Sequence, residues 1–310
     1  MILVFGSLNA DLVFRVPALP RPGETVLCPG YALEPGGKGA NQAAAAAKAG
    51  AAVRMVGCVG NDSFGDVLRK RLAQAGVDCA GVAATSETTG VAVIGVDPAG
   101  ENQIIVASGA NLAASAAQVG EAELHTGVTL LCQNEVPPEA TFALLERAAR
   151  HGARTILNLA PAAPVPPGVL DALNVLVVNE IEAAMAAGRA AGVPGDPQAL
   201  AANLAARHDL VCVVTLGAAG AIARGPAWGW GIGSLPVEPV DTTGAGDAFV
   251  GVLAASLDGA ALPEALPAAL RRASVAAGLA CTRVGAQTSQ PTAAEIAARL
   301  PDLAPATPLE

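Results

Sequence analysis

Short apolar, β-branched runs alternate with alanine-rich stretches of helical length along most of this chain. No other feature constrains the fold as strongly. Ile2–Phe5, Val53–Val59, Val128–Cys132, Thr155–Leu159, Val175–Val178 and Val211–Leu216 predict strands. Lys38–Ala49, Ser63–Ala75, Pro138–His151 and Pro197–Arg207 lie between them and predict helices. Strands joined through helices pair in parallel, so the expected class is α/β: a mostly parallel sheet with helices on both faces. A chain of 310 residues can bury roughly three-quarters of its unfolded surface. That accommodates one large domain with a small appendage, or two modest domains. Two segments break the rhythm. Residues 11–34 are rich in Pro and Gly with short alternating runs, and 88–108 read as a hairpin, VAVIGV and QIIVAS about the turn Asp97-Pro98-Ala99-Gly100. Together they can form a small sheet beside the main domain, which is expected to span 1–300. Residues 301–310, PDLAPATPLE, predict a loose tail.

Composition excludes several functions. Lys and Arg number 18 against 27 Asp and Glu, a net charge of -9, and aromatics are only 3%. Such a surface offers neither the basic field nor the stacking platform that nucleic acids require. The opening MILVFGSLNADLVF has no charged n-region and meets Asp11 early, unlike an export signal. The longest strongly apolar stretch, Leu210–Ala223, is 14 residues, too short to span a bilayer comfortably. The six cysteines, at 28, 58, 79, 132, 212 and 281, show no CxxC pair or metal-ligand spacing. Free thiols in a reducing compartment follow, and the expected location is the cytoplasm.

Glycine-centred segments carry the chemistry. Gly36-Gly37-Lys38-Gly39-Ala40-Asn41 precedes an alanine-rich helix but is no Walker A loop, because Ala32 stands where the first Gly belongs and Gly39 replaces Ser/Thr. Strand one is followed by GSLNAD (6–11) and not by GxGxxG, which disfavours a dinucleotide dehydrogenase. In Asp241-Thr242-Thr243-Gly244-Ala245-Gly246-Asp247 the glycines let the amides of residues 244–247 converge at the positive end of a helix, an anion site without basic side chains. Asp247 in that turn is either an ordinary helix cap or a base that takes a proton from a hydroxyl attacking phosphorus. Only the second reading also explains the GAG before it.

DTTGAGD (241–247) and GGKGAN (36–41) resemble the two signatures of the PfkB carbohydrate kinase family. GETV (23–26), GENQ (100–103), NLAPA (158–162), VVNEIEA (177–183), VTLGAAG (214–220) and TRVGAQTS (282–289) extend the resemblance, in order, over nearly the whole chain. It implies a Rossmann-like α/β domain with a small β-sheet lid, segments 11–34 and 88–108. It also implies ATP-dependent phosphorylation of a sugar primary hydroxyl, D-ribose foremost, with Asp247 as base and the amides of Gly244, Ala245 and Gly246 as anion hole. Asn9, Asp11, Gly37, Lys38, Asn41 and Glu135 would contact the sugar. Asn179, Thr215, Gly217, Gly220, Gly246 and Ser274 would contact the nucleotide.

Glu182 of the NxxE element would act on Mg²⁺ through water. Asn179 and Glu182 equally fit a capping box, and both readings can hold together. Asp241, Thr243, Ala280, Arg283, Gly285 and Ser289 would supply an oxygen cage for K⁺, with Arg283 giving its carbonyl. The resemblance further implies a homodimer through the lid. Ser274 replaces the His or Asn of many family members. Two rivals remain: another kinase of the family, acting on fructose, 2-keto-3-deoxygluconate or a nucleoside, and a catalytically silent sugar-binding protein. His125, His151 and His208 read as surface or boundary residues, and Trp228 and Trp230 as strand packing.

Overall fold

The computed structural model describes residues 1–189 and 195–310. In its first half β1 (Ile2–Phe5), β2 (Asn9–Arg15), β3 (Tyr31–Gly36), α1 (Lys38–Lys48), β4 (Val53–Gly60), α2 (Ser63–Gln74), β5 (Asp78–Thr85), β6 (Gly90–Val96) and β7 (Asn102–Ala107) follow one another. Then come β8 (Thr129–Cys132), α3 (Pro138–Arg150), β9 (Arg154–Asn158), α4 (Pro167–Leu170), β10 (Val175–Asn179), α5 (Glu180–Ala186), α6 (Pro197–His208) and β11 (Val211–Thr215). The chain ends with β12 (Ala221–Arg224), β13 (Gly229–Ile232), α7 (Ala245–Leu257), α8 (Leu262–Ala280), α9 (Ala293–Arg299) and β14 (Thr307–Pro308).

The main sheet runs β14-β13-β12-β11-β10-β9-β8-β1-β4-β5. It is parallel from β5 to β11 and antiparallel from β11 to β14. From β1 the chain winds outward through β4 and β5, then returns to lay β8 on β1's other side. That reversal opens a crevice at the carboxyl ends of β1 and β8, where open α/β sheets bind ligands. Alternation along β1 shows why the sheet needs cover on both faces. Ile2 and Val4 enter one apolar core, and Leu3 and Phe5 enter the other.

The second sheet, β3-β2-β6-β7, is the predicted small one. β2 pairs antiparallel with β3 and parallel with β6, which pairs antiparallel with β7. Its strands fall within the two off-rhythm segments, except that β2 starts at Asn9 and β3 runs on to Gly36. Every residue of β7 is exposed, with Ile105 at 72%.

The tail expectation is corrected. Thr307–Pro308 pairs with β13, the Leu309 amide donates to the Gly229 carbonyl at 2.9 Å, and Arg224 donates to the Glu310 carbonyl at 2.6 Å. A free sheet edge at β13 supplies unpaired backbone groups, and the tail satisfies them.

α1 and α7 cross almost backbone to backbone. A Cβ built on Gly251 would stand 2.5 Å from the Gln42 carbonyl oxygen and 2.6 Å from the Ala45 methyl. The alanines at 43–47 and Gly251 thus permit the approach that puts both helix N-termini at the crevice.

Candidate active site

A cavity of about 190 Å³ lies beside this crevice, lined by Lys38 at the start of α1, Gly244, Gly246 and Asp247 at the start of α7, Asn158, Asn179 and Thr215 at the ends of β9, β10 and β11, and Glu182 in the first turn of α5. Two helix N-termini facing one cavity make it favourable to anions. Gly244 takes a left-handed conformation (φ +77°), and a Cβ there would come within 2.7 Å of the Ala286 backbone. This position therefore excludes other residues both by backbone strain and by the neighbouring loop. A Cβ on Gly246 would meet only open space, so glycine there leaves room for a ligand. The Ala245 amide makes a long bond, 3.3 Å, to the Thr242 carbonyl. Among the described residues the amides of Gly246 and Asp247 have no acceptor.

Asp247 is buried, and both its oxygens accept hydrogen bonds. Asn41 Nδ2 donates to Oδ2 at 3.0 Å and Gln42 Nε2 to Oδ1 at 2.9 Å. Burial raises its proton affinity above the ordinary carboxylate range; Lys38, Gln42 and Asn41 oppose the shift without cancelling it. The Asn41 Oδ1 oxygen is buried and unpartnered. An orphaned acceptor beside a carboxylate calls for a hydroxyl donor.

The other sugar-side candidates gather around this pair. Glu135 Oε2 accepts from Ser7 Oγ at 2.6 Å and from the Lys38 amide at 3.0 Å. Asn9 Oδ1 accepts from Asn111 Nδ2 at 2.7 Å. Asn111 is itself held by both backbone groups of Leu8, so the Asn9 oxygen is taken while its NH₂ has no acceptor among the described residues. Asp11, paired in register with Glu34 on β3, is pushed up to about 7 by burial first and then by Glu135, Asp247 and Glu34, against Lys38. Burial disfavours the Lys38 ammonium, yet Asp247, Glu135, Glu182 and Asp11 outweigh it and raise its pKa. Gly37 caps α1, its carbonyl accepting from the Asn41 amide at 2.9 Å.

Residues 1–293 match the family described as pfkB family carbohydrate kinase. The chain belongs to the PfkB family. It is similar to the ribokinase of Haemophilus influenzae, with 36% identity over 95% of this chain and 96% of that one. In structure it is similar to the ribokinase of Thermotoga maritima (TM-score 0.87, 32% identity, 97% and 99% of the two chains). It is also similar to the ribokinase of Arabidopsis thaliana complexed with ribose and ATP (TM-score 0.83, 28% identity, 96% and 98%). The chain is accordingly an ATP-dependent sugar kinase, which removes the silent-binder rival.

Among the nucleotide and Mg²⁺ candidates the capping box of α5 is present: Asn179 Oδ1 accepts from the Glu182 amide at 2.8 Å, and Glu182 Oε2 from the Asn179 amide at 2.7 Å. The other Glu182 oxygen stays available at the cavity. Burial raises the Glu182 pKa against the Asn179 amide and Lys38. Gly217 is exposed in a turn, whereas Gly220 lies against the β13 backbone, its Cβ position 2.0 Å from the Ile232 carbonyl. Ser274 is not brought to the cavity; it is buried mid-helix in α8, 4% exposed.

Of the K⁺ candidates, Asp241, Thr243 and Gly285 are joined by hydrogen bonds. Asp241 Oδ1 accepts from the Thr243 amide at 2.9 Å and Oδ2 from the Gly285 amide at 3.0 Å, clamping the two loops. These amides hold Asp241 below its usual range despite burial. The Arg283 side chain turns away to Glu295. The Ala280 carbonyl accepts from the Arg283 amide, and Ser289, fully buried, donates to the Ala286 carbonyl at 3.3 Å. An ionised carboxylate among carbonyls and one hydroxyl fits a monovalent cation. Among the described residues no group of three or more His, Cys, Asp or Glu could by itself hold a metal ion. One free carboxylate oxygen beside an anion cavity suits Mg²⁺ that keeps its waters and phosphate ligands.

Sequence reasoning missed Ser7, Gln42, Asn111, Gln133 and Asn158. Gln42 abuts Asn41 and Asn158 opens NLAPA, but neither motif says which side chain each one meets. No helix among the described residues is long and apolar enough to cross a membrane.

Proposed function

We propose that this kinase transfers the γ-phosphoryl group of ATP to the primary hydroxyl of D-ribose, giving D-ribose 5-phosphate. The carrying observation is the position of Asp247. It stands between a polar cluster with an orphaned Asn41 oxygen and a cavity walled by two helix N-termini. Asp247 takes the hydroxyl proton as the sugar oxygen attacks phosphorus in line, and ADP departs. The amides at 244–247 receive charge on the transferring group. Asn9, Asp11, Asn41 and Glu135 select the sugar: carboxylates accept from vicinal hydroxyls, and amides donate and accept. Lys38 bridges the sugar and phosphate sides. Asn179, Thr215 and Gly217 serve the nucleotide, and Gly220 shapes their loop. Ser274 can act on it only through the packing of α8.

Mg²⁺ would be held through water by Glu182, and it supplies charge neutralisation on the phosphates. K⁺ would be held by Asp241, Ser289 and carbonyls of Thr243, Ala280, Arg283 and Gly285; it keeps the anion-hole turn in place. The lid closes over the sugar and, through the bare apolar strand β7, pairs with a second copy in the cytoplasm. A sugar panel with coupled ADP detection tests the substrate. D-Ribose should lead, and preference for fructose, 2-keto-3-deoxygluconate or a nucleoside would overturn the assignment. Light scattering should give twice the chain mass; a monomer would remove the lid interface.

A further inference from the structure

A chain of buried amides runs behind Asp247, from Asn158 on the cavity wall inward to Gln42 and Gln133. Asn158 Nδ2 donates to the Val177 carbonyl at 3.1 Å, and Asn158 Oδ1 accepts from Gln42 Nε2 at 2.9 Å. The same Gln42 nitrogen donates to Asp247 Oδ1 at 2.9 Å, and Gln42 Oε1 accepts from Gln133 Nε2 at 2.7 Å. Gln42 and Gln133 are both fully buried.

The direction of this chain is fixed from one end. A backbone carbonyl only accepts, so Asn158 must turn its NH₂ to Val177 and its oxygen to Gln42. Gln42 must then offer NH₂ to both Asn158 and Asp247. Rotating it by half a turn would set its oxygen against two acceptors. Gln133 donates to the remaining Gln42 oxygen and so tethers the side chain from its other side.

Resting on the reading of Asp247 as base, we infer that Gln42 is a positioning residue for that carboxylate, with its polarity imposed by the Val177 carbonyl through Asn158. Gln42 lies behind Asp247 and does not line the cavity. Its bond holds Oδ1, which leaves the carboxylate no freedom to swing away from the attacking hydroxyl. Donation from an N–H also favours the ionised form over the protonated one. The charged groups facing Asp247 are Lys38 of α1, Glu135 beyond β8 and Asp11 of β2, with Glu182 of α5 beside Lys38. None of them is altered by a change at Gln42.

The test is steady-state kinetics on the full chain, with D-ribose and ATP, across pH. Gln42→Met keeps length and bulk and removes the donor. The expected result is kcat lower by about tenfold or more, with KM for ribose and ATP within about threefold of the parent. The acid limb of kcat should move up by about one pH unit. Near-normal kcat with an unmoved acid limb overturns the inference. So does a joint loss of kcat, both KM values and melting temperature with the limb unmoved, because that pattern is packing alone. Gln133→Met, which does not touch Asp247, decides the matter if the first variant does not fold. A lowered kcat at unchanged KM supports the inference, and parental kcat overturns it. Asp247→Asn is run beside them. Normal turnover there removes the base and the inference together, whereas a slow Asp247→Asn with a normal Gln42→Met overturns the inference alone.

Discussion

Replacing Asp11 by Asn should make the unliganded protein more stable at pH 8 and leave it unchanged near pH 4. Asp11 is raised from 3.8 to about 7 by burial and by Glu135, Asp247 and Glu34. The folded chain therefore binds a proton that the unfolded chain has released between those values, and stability falls as pH rises through the window. Below about pH 4 both states are protonated and nothing is lost; above about pH 7 the cost is complete. A gap of about 3 units is worth about 4 kcal/mol at full effect. The cleft is open to water, and screening reduces the expectation to about 2 kcal/mol. Asn has the same shape and no charge, so it escapes the cost. Thermal melting of both proteins at pH 4, 6 and 8 without sugar reads the difference, which should reach a few degrees at pH 8. A difference that does not grow with pH, or that favours the parent at pH 8, refutes the reasoning. The gain in stability should come with a weaker grip on ribose, seen as a raised KM.

Asp247→Asn should slow the chemical step by about a hundredfold or more with ribose affinity little changed; near-normal turnover would show that another group takes the proton. Kinase activity should be clearly higher in K⁺ than in choline or Tris at matched ionic strength, and Asp241→Ala should abolish the difference. Equal rates in the three salts would sink the cation cage.

The sequence made the central strands legible because their apolar runs are short, β-branched and bounded. Ile2–Phe5 is found as expected, and the other five predicted strands shift by no more than a residue at either end. β5 was not legible: DCAGVAAT has one β-branched residue flanked by small ones before Thr85 and sits at a sheet edge, where burial imposes little pattern. The additions β12 to β14 are four residues or fewer and too short to show a period. α8 hides an internal Pro267 that punctuates its sequence as a turn would. At the site, the glycine turns and their acidic and amide residues could be read because each motif is contiguous. The amide chain behind Asp247 could not. Gln42 lies 91 residues from Gln133 and 116 from Asn158, and only the strand order that brings β1, β8 and β9 side by side joins them.

The candidate base and the phosphate cradle ride on α1 and α7, which cross so closely that Gly251 admits no side chain. Asn9 and Asp11, by contrast, ride on β2, a strand of the smaller sheet. The lid candidates for sugar contact therefore sit apart from the helix crossing, whereas Asn41 on α1, bonded to Asp247, belongs to both. Exchanging lid residues can alter which sugar is accepted while the helix crossing, and with it the transfer step, stays as it is. Within one architecture, substrate preference is then free to drift, and the residues that move phosphate are held fast by the absence of space around them.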